Sequence, residues 1–254
     1  MPQSYQRISP QLARQIKLII TDVDGTITSG GNYISSAVSR AIYRLQEHNI
    51  IVGLASGRTL RELESLAHEL GITGPIIAEN GGVAKLSVND DLVELGYSQQ
   101  PALEALIKLK TLYPTAIRER EDNKDRLIDV VIWPCGIEVP ELRRHLVQTQ
   151  ILDSGYILHL MQEGISKGRT LLRLLDTVAG ENLTNTDIMV FGDSTTDMSL
   201  FKLFPHCVFI ANPKLTTPQW RGLKKIAKYA SNLPVEEGFV EVISHIISVR
   251  TLKT

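Results

Sequence analysis

With 254 residues, of which 43% are hydrophobic and 22% charged, the chain has the composition of an ordinary globular protein of one large domain or two modest ones. The formal net charge of −1 excludes a global basic field that would attract nucleic acid or an anionic membrane, so positive charge that meets an anionic substrate must be local. The sequence has no apolar run of the length of a signal peptide or a membrane span, and we therefore expect a cytoplasmic protein without nucleic-acid or membrane partners.

The first part of the chain predicts strands and helices in alternation. Strands are predicted at 16–21, 50–55 and 75–78, and helices at 35–49 and 59–70. Ser35 or Ser36 can cap the first helix, and Gly71 can end the second. This alternation is typical of a doubly wound α/β sheet. Residues 1–15 precede it and are predicted to be an N-terminal extension.

The pattern changes between residues 83 and 160. A hairpin is predicted over 83–97, with its turn at Asn89-Asp90-Asp91. Further strands are predicted at 115–120, 126–133 and 156–161, and helices at 102–112 and 138–150. Hairpins with few parallel crossovers favour an antiparallel insert. We therefore expect an α+β cap domain over 83–160.

The alternation returns after the insert. Helices are predicted at 167–178, 196–203 and 238–249, and strands at 187–191 and 207–211. Together these elements predict one catalytic core, 16–82 and 161–254, that the cap interrupts. Cys135 and Cys207 lie far apart, without metal-ligand spacing, and are expected to be small buried or half-buried thiols.

Two acidic residues follow the first predicted strand in Asp22-Val23-Asp24-Gly25-Thr26. Residues two apart in an extended segment point to the same side, so Asp22 and Asp24 project together from the end of the strand where open α/β sheets bind ligands. Because two close carboxylates repel each other, a cation or a shared proton is needed between them. The alternative is an acidic loop without chemistry.

Three further motifs lie at strand ends or at the helix starts beside them. Ser56-Gly57 follows the second strand, where a hydroxyl and free N–H groups can bind phosphate oxygens; an ordinary turn is the alternative. Lys167 lies in the first turn of a helix, where the helix dipole disfavours a cation unless an anion is near. Asp193 and Asp197 follow another buried strand about one turn apart, and two acids there favour a hard cation such as Mg²⁺.

The motifs DVDGT, ASGR, GISKG and GDSTTD occur in the order that is found in the haloacid dehalogenase (HAD) superfamily. The insert lies where that superfamily has its type-II cap. Asn80-Gly81-Gly82, Ile210-Ala211-Asn212 and Glu237-Gly238-Phe239 resemble signatures of its Cof-like branch, subfamily IIB, which includes sucrose-phosphate, mannosyl-3-phosphoglycerate and phosphoglycolate phosphatases. The resemblance implies a doubly wound parallel-sheet HAD core with an inserted α+β type-II (C2) cap, acting as a phosphoric monoester hydrolase.

The resemblance also implies a role for each residue of the first motifs. Asp22 would be the nucleophile, which forms an aspartyl-phosphate, and a Mg²⁺ ligand. Asp24 would protonate the leaving oxygen, then take a proton from the attacking water, while its backbone carbonyl binds the metal. Ser56, Gly57 and Lys167 would hold the phosphoryl oxygens.

The later motifs are assigned in the same way. Asp193 would bind the metal, and Asp197 would complete or brace that ligation. Asn212 would contact the phosphate. The family usually has asparagine where this chain has Thr196, and this departure puts the positioning of the acidic loop in question.

The substrate is expected to be a small phosphorylated metabolite. The cap must recognise its leaving group, and Arg118 and Arg120, two apart on a predicted strand, can offer donors to a carboxylate or to sugar hydroxyls, unless they belong to a solvated hairpin tip. A sugar phosphate or sugar-phosphoglycerate is the expected substrate; phosphoglycolate is an alternative. A phosphosugar mutase, a receiver-like signalling module and an inactive binding protein are the competing functions, and a homodimer is left open.

Overall fold

The computed structural model describes residues 1–31, 33–134, 136–155, 157–178 and 183–252. Of the two cysteines, Cys207 is buried and free of a disulfide, and Cys135 lies outside the described residues. Within the described part of the chain, no helix is both long and apolar enough to cross a membrane.

Eleven strands are present in the described residues. In chain order they are β1 (Gln3–Ser4), β2 (Leu18–Thr21), β3 (Ile51–Ala55), β4 (Ile76–Ala78), β5 (Val83–Lys85), β6 (Val130–Ile132), β7 (Thr149–Asp153), β8 (Leu158–Gln162), β9 (Ile188–Gly192), β10 (His206–Ala211) and β11 (Tyr229–Pro234). The α-helices are α1 (Pro10–Gln15), α2 (Ser36–Glu47), α3 (Leu60–Leu70), α4 (Gln100–Leu112), α5 (Val139–Arg143), α6 (Lys167–Val178), α7 (Met198–Leu203), α8 (Thr217–Ile226) and α9 (Val235–Arg250).

These strands form two sheets. The larger sheet has the order β1-β11-β10-β9-β2-β3-β4-β5, and every pairing in it is parallel except that of β4 with β5. The smaller sheet has the order β6-β8-β7 and is antiparallel. The predicted fold class, a parallel α/β core with a smaller α+β part, is confirmed.

The larger sheet is buried on both faces, as the apolar runs of its strands predict. Successive side chains of β2 point to opposite faces. Ile19 belongs to the hydrophobic cluster that includes residues of α1, α2, α3 and α9, and Ile20 belongs to the cluster that includes residues of α6, α7 and α8. Local signals end the helices as expected. Ser35 caps α2, Thr59 and Glu62 form a capping box at α3, and Gly71 ends α3 with a left-handed φ of 64°.

The structure differs from the prediction mainly between residues 83 and 153. The expected hairpin over 83–97 is wrong: β5 pairs with β4 at the edge of the larger sheet, and Lys85 and Leu92 form only an isolated bridge. The helix expected over 138–150 ends at Arg143, and Gln148 has a left-handed φ of 55°. Residues 149–153 form β7, and its pairing with β8 buries Ile151. At residues 149 and 150 this tertiary gain overrides the predicted helix.

The N-terminal elements β1 and α1, and the late strand β11, were not predicted from the sequence. Strand β1 pairs with β11 at the edge of the larger sheet, and α1 packs against α9. Residues 1–15 therefore contact the core, although they lie outside the family resemblance. The domain limits 16–82 with 161–254 and 83–160 remain a prediction, with residues 83–85 attached to the larger sheet.

Candidate active site

Three buried carboxylates meet at the carboxyl ends of neighbouring strands. Asp22 directly follows β2, Asp193 directly follows β9, and the two strands are adjacent and parallel. Asp197 ends the short 3-10 turn that follows Asp193. These three, which we call the carboxylate cluster, bring one oxygen each within 4.8 Å of the others. Because parallel strands end at one edge of the sheet, residues far apart in sequence converge here.

Lys167 supplies the positive charge beside this cluster. It is the first residue of α6, and its side chain is 1% exposed. Its Nζ donates to Asp22 Oδ1 at 2.8 Å, to Asp197 Oδ1 at 2.7 Å and to Thr196 Oγ1 at 3.2 Å. Burial by itself would lower the pKa of Lys167, but the charges of Asp197 and Asp22 outweigh burial and raise it. The lysine is therefore firmly protonated.

The carboxylate cluster holds more negative charge than Lys167 can offset. Burial, followed by the charge of Asp197, raises the pKa of Asp22 well above its ordinary value, and Lys167 opposes this only in part. The same two causes raise the pKa of Asp193 to about 7. A bound cation would relieve both. Buried carboxylate oxygens are hard ligands of the kind that Mg²⁺ takes, so the residues present fit such an ion.

Asp193 is positioned by neighbours on two other loops. Its Oδ1 accepts from Thr26 Oγ1 at 3.0 Å, and its Oδ2 accepts from Asn212 Nδ2 at 2.5 Å. Gly25 has a φ of +88°, and a Cβ there would collide with the Asp193 carboxylate. The glycine of DVDGT therefore lets the first loop close onto Asp193. Asn212, expected to contact phosphate, directs its amide to Asp193.

Asp197 is held differently from Asp193. Its Oδ2 accepts from the backbone N–H groups of Asp193 at 3.0 Å and Ser194 at 3.1 Å, while its Oδ1 accepts from Lys167. Both oxygens are thus engaged by the protein. This arrangement favours the bracing role that was one of the two expectations for Asp197.

Asp24 lies outside the carboxylate cluster. Its two oxygens accept from Arg58, at 2.8 Å from Nε and 2.6 Å from Nη2. Its side chain is 43% exposed and faces the cleft described below. The expected role of its backbone carbonyl in metal binding stays a prediction. Arg58 occupies the last position of ASGR, and that motif was the signal that could have identified it.

A cleft of about 340 Å³ joins the carboxylate cluster to residues from the smaller sheet. Ser56 and Gly57, which directly follow β3, line this cleft. Of the eight predicted site residues, all except Asp197 and Asn212 line it. Of the two arginines expected to bind the leaving group, Arg120 lines the cleft. Arg118 is exposed and is not among the described residues that line it.

A buried polar network lies beside the cleft and contributes Arg126 and His159 to its lining. Its members, called here the junction network, are Glu79, Arg126, Asp129 and His159. Arg126 donates to Asp129 Oδ1 at 2.7 Å and to the carbonyl of Gly57 at 3.1 Å, while His159 Nδ1 lies 2.6 Å from Asp129 Oδ2.

Glu79 joins the junction network from the turn after β4. Its carboxylate accepts three backbone N–H groups, those of residues 127, 128 and 129, at 2.8–2.9 Å. The network thus connects the turn after β4 to the chain that enters β6. Arg126 and His159 carry no motif that would have marked them, because the contacts of Arg126 with Gly57 and of His159 with Asp129 link residues 30 or more apart in sequence.

Comparison with known proteins gives one consistent family. The family model described as haloacid dehalogenase-like hydrolase matches residues 19–124 and 137–243. A phosphoglycolate phosphatase of Methanospirillum hungatei is 30% identical over 229 residues, covering 89% of this chain and 94% of that protein. A phosphoglycolate phosphatase of Thermoplasma volcanium is 32% identical over 232 residues, covering 91% and 98%.

Solved structures share the fold. A crystal structure of a Thermoplasma acidophilum protein superposes with a TM-score of 0.76 at 25% identity, covering 91% of this chain and 98% of that one. The sucrose-phosphatase of Synechocystis sp., solved with sucrose and phosphate, has a TM-score of 0.68 at 18% identity, with coverages of 92% and 98%. These matches confirm the resemblance that the motifs predict.

Proposed function

The chain belongs to the haloacid dehalogenase-like hydrolase family, and we propose that it is a Mg²⁺-dependent phosphatase that hydrolyses a small phosphomonoester through an aspartyl-phosphate on Asp22. The observation that carries the proposal is the buried excess of carboxylates with one ammonium among them. A phosphoryl group and a divalent cation together would balance that charge.

The first step is attack by a carboxylate oxygen of Asp22 on phosphorus. The bond to the leaving oxygen breaks, and the phosphoryl group is transferred to Asp22. Lys167 Nζ, already bonded to Asp22 Oδ1, and the Ser56 hydroxyl offer donors to the phosphoryl oxygens. Mg²⁺, when bound by the carboxylate cluster, supplies charge neutralisation that lets an anionic nucleophile approach an anionic phosphate.

Asp24 is the group that moves protons in this proposal. It gives a proton to the leaving oxygen and then takes one from the water that attacks the aspartyl-phosphate, which releases phosphate and restores Asp22. Arg58 holds both carboxylate oxygens of Asp24 in this structure. This ion pair must therefore open before Asp24 can donate to the leaving oxygen.

The substrate class has two candidates. A sugar phosphate or sugar-phosphoglycerate agrees with a cleft that is lined by hydroxyl, amide and arginine groups. Phosphoglycolate is favoured by the names of the curated relatives, which are 30–32% identical to this chain. A cytoplasmic location stays a prediction beside both.

The test is turnover of p-nitrophenyl phosphate by the purified protein with Mg²⁺, with Ca²⁺ and after chelation. Mg²⁺ should support turnover and chelation should remove it. Ca²⁺ should support much less, because it accepts more ligands and a less regular geometry than Mg²⁺ and so misplaces Asp22. Equal rates in all three conditions, or isomerisation of a phosphosugar in place of hydrolysis, would contradict the proposal.

A further inference from the structure

Asn80 carries a buried amide that lacks a partner. It follows β4 in a turn where Glu79 and Asn80 both have left-handed φ values, 48° and 55°. Asn80 is 1% exposed and lines the cleft. Among the described residues, neither its Oδ1 nor its Nδ2 has a hydrogen-bond partner. A buried donor and acceptor that stay unpaired are unfavourable, so a ligand that pairs them would be stabilised there.

His159 presents a second polar group to the cleft. Its Nδ1 lies 2.6 Å from Asp129 Oδ2, and Asp129 is also bonded to Arg126. Burial would raise the pKa of Asp129, but the hydrogen bond and charge of His159, followed by Arg126, outweigh it and lower the pKa. Asp129 is therefore an ionised acceptor, and His159 Nδ1 must donate to it. The second ring nitrogen, Nε2, remains available to a ligand.

The side chains of Asn80 and His159 converge beside Gly57. A Cβ added to Gly57 would stand 3.0 Å from Asn80 Nδ2, 3.2 Å from Asn80 Oδ1 and 3.1 Å from His159 Cε1, the atom bonded to Nε2. Gly57 directly follows Ser56, the proposed phosphate ligand. The side chains of Asn80 and His159 therefore lie where the part of a substrate next to its phosphate group would bind.

We infer that Asn80 and His159 form a subsite for a hydroxyl group carried by the leaving group close to its phosphoester oxygen. This inference rests on the proposed phosphatase function and narrows its substrate class. A hydroxyl has one O–H donor and two lone pairs, so it can accept from Asn80 Nδ2 and donate to one acceptor, either Asn80 Oδ1 or an unprotonated His159 Nε2. A carboxylate can accept from Asn80 Nδ2 but has no proton to donate, so it leaves Asn80 Oδ1 unpaired. The subsite therefore selects polyol or sugar phosphates over phosphoglycolate.

Three small phosphomonoesters of nearly equal size test this inference: 2-hydroxyethyl phosphate, ethyl phosphate and phosphoglycolate. The wild-type enzyme, assayed with Mg²⁺, should show a kcat/KM for 2-hydroxyethyl phosphate at least about a hundredfold above that for ethyl phosphate, since a site built to bind a hydroxyl rejects its deoxy analogue. Phosphoglycolate should also be hydrolysed more slowly than 2-hydroxyethyl phosphate.

Variants assign the preference to the two side chains. Asn80→Gly removes the amide while tolerating the left-handed φ, and His159→Asn removes Nε2 while keeping a donor near the position of Nδ1. Each should reduce the ratio between hydroxyethyl and ethyl phosphate to less than about tenfold. His159→Gln, which restores a polar group near Nε2, should recover part of the ratio.

Two matched controls should leave the ratio unchanged. Asn49→Gly repeats the asparagine-to-glycine replacement at an exposed asparagine with a left-handed φ. His206→Asn repeats the histidine-to-asparagine replacement at a buried histidine of β10 outside the cleft. Equal rates on ethyl and 2-hydroxyethyl phosphate, a preference for phosphoglycolate, or a ratio that Asn80→Gly and His159→Asn do not lower would overturn the inference alone. Failure to hydrolyse any of the three esters or p-nitrophenyl phosphate would overturn the proposed function and the inference together.

Discussion

The carboxylate cluster and the junction network both bury several charges, yet they balance them differently. Three acids of the cluster face one ammonium, and the pKa values of Asp22 and Asp193 are raised by burial and by the neighbouring Asp197. In the junction network, Arg126 binds Asp129 and Asp122, and Asp129 also accepts from His159. The cluster is short of positive charge, whereas most charges of the network are paired.

This difference separates a reactive site from a supporting one. Burying unlike charges with full hydrogen bonding yields a rigid arrangement that needs no ligand. Burying like charges is unfavourable unless something else binds, so the deficit at Asp22, Asp193 and Asp197 points to a cation and an anionic substrate. Beside the junction network, the amide of Asn80 lacks hydrogen-bond partners, whereas the carboxylate cluster lacks positive charge.

The largest effect that we expect is from Asp22→Asn. It should lower kcat by more than about a hundredfold, because it removes the proposed nucleophile while its amide oxygen can still accept from Lys167. The thermal midpoint at pH 8 should not fall, since one buried charge is lost. Rates on p-nitrophenyl phosphate and a melting curve measure both. Asp90→Asn at an exposed turn is the control, and residual activity above a hundredth of the wild-type rate would refute the assignment.

A comparison of Asp193→Ala with Asp197→Ala should divide metal binding from bracing. If Asp193 binds the metal directly, its loss should raise the half-saturating Mg²⁺ concentration by more than about a hundredfold. Asp197, whose oxygens are engaged by Lys167 and two N–H groups, should change it by about tenfold and mainly lower the thermal midpoint. Activity and melting curves titrated with Mg²⁺ measure this; equal Mg²⁺ requirements would contradict the division.

Glu79→Gln should reveal a pH dependence in the junction network. Burial, followed by the charge of Asp129, raises the pKa of Glu79 to about 7 in spite of three N–H bonds. Because this exceeds the ordinary value of 4.5, the folded protein keeps the proton longer than the unfolded chain, and stability falls as pH rises from 4.5 to 7. In Glu79→Gln the side chain does not titrate, so this fall in stability with rising pH should be absent.

Urea unfolding of both proteins at pH 5 and pH 8 measures the effect of Glu79. Wild type should have its greatest advantage over Glu79→Gln at pH 5, and the advantage should shrink at pH 8. Contributions of Asp22 and Asp193 are common to both proteins and cancel in the difference. Glu163→Gln, at an exposed position next to β8, should show no such change with pH. An advantage that grows with pH would reverse the sign and refute the argument.

The smallest effect is expected from Thr196→Asn, which restores the residue that the family usually has. Thr196 Oγ1 accepts from Lys167 at 3.2 Å and lies 2.8 Å from Ser194 Oγ, so its hydroxyl is already integrated in the acidic loop. Exchanging one neutral hydrogen-bonding group for another should change kcat/KM by less than about threefold. A gain above tenfold would show that threonine impairs the loop.

Local pattern was sufficient for the parts of the chain that are buried on both faces. The strands that became β2, β3, β9 and β10 were predicted to within two residues, because a short apolar run between turn residues has few other stable placements. The residues that follow these strands could then be predicted to lie close together, since parallel strands end at one edge of the sheet. The sequence thus predicted the fold class and the meeting of Asp22 with Lys167 and Asp193.

Only the tertiary structure decided the wall that faces this edge. Residues 149–153 joined β8 although the helix was predicted to continue to residue 150, and Asp129 met His159 across that smaller sheet. Likewise, the pairing of Asp24 with Arg58 and the isolation of the Asn80 amide depend on how loops from different strands pack. The sequence by itself determined which residues end the buried strands, because burial leaves a local signature. Which polar groups are satisfied was decided by long-range contacts, since no local pattern encodes a partner 30 residues away.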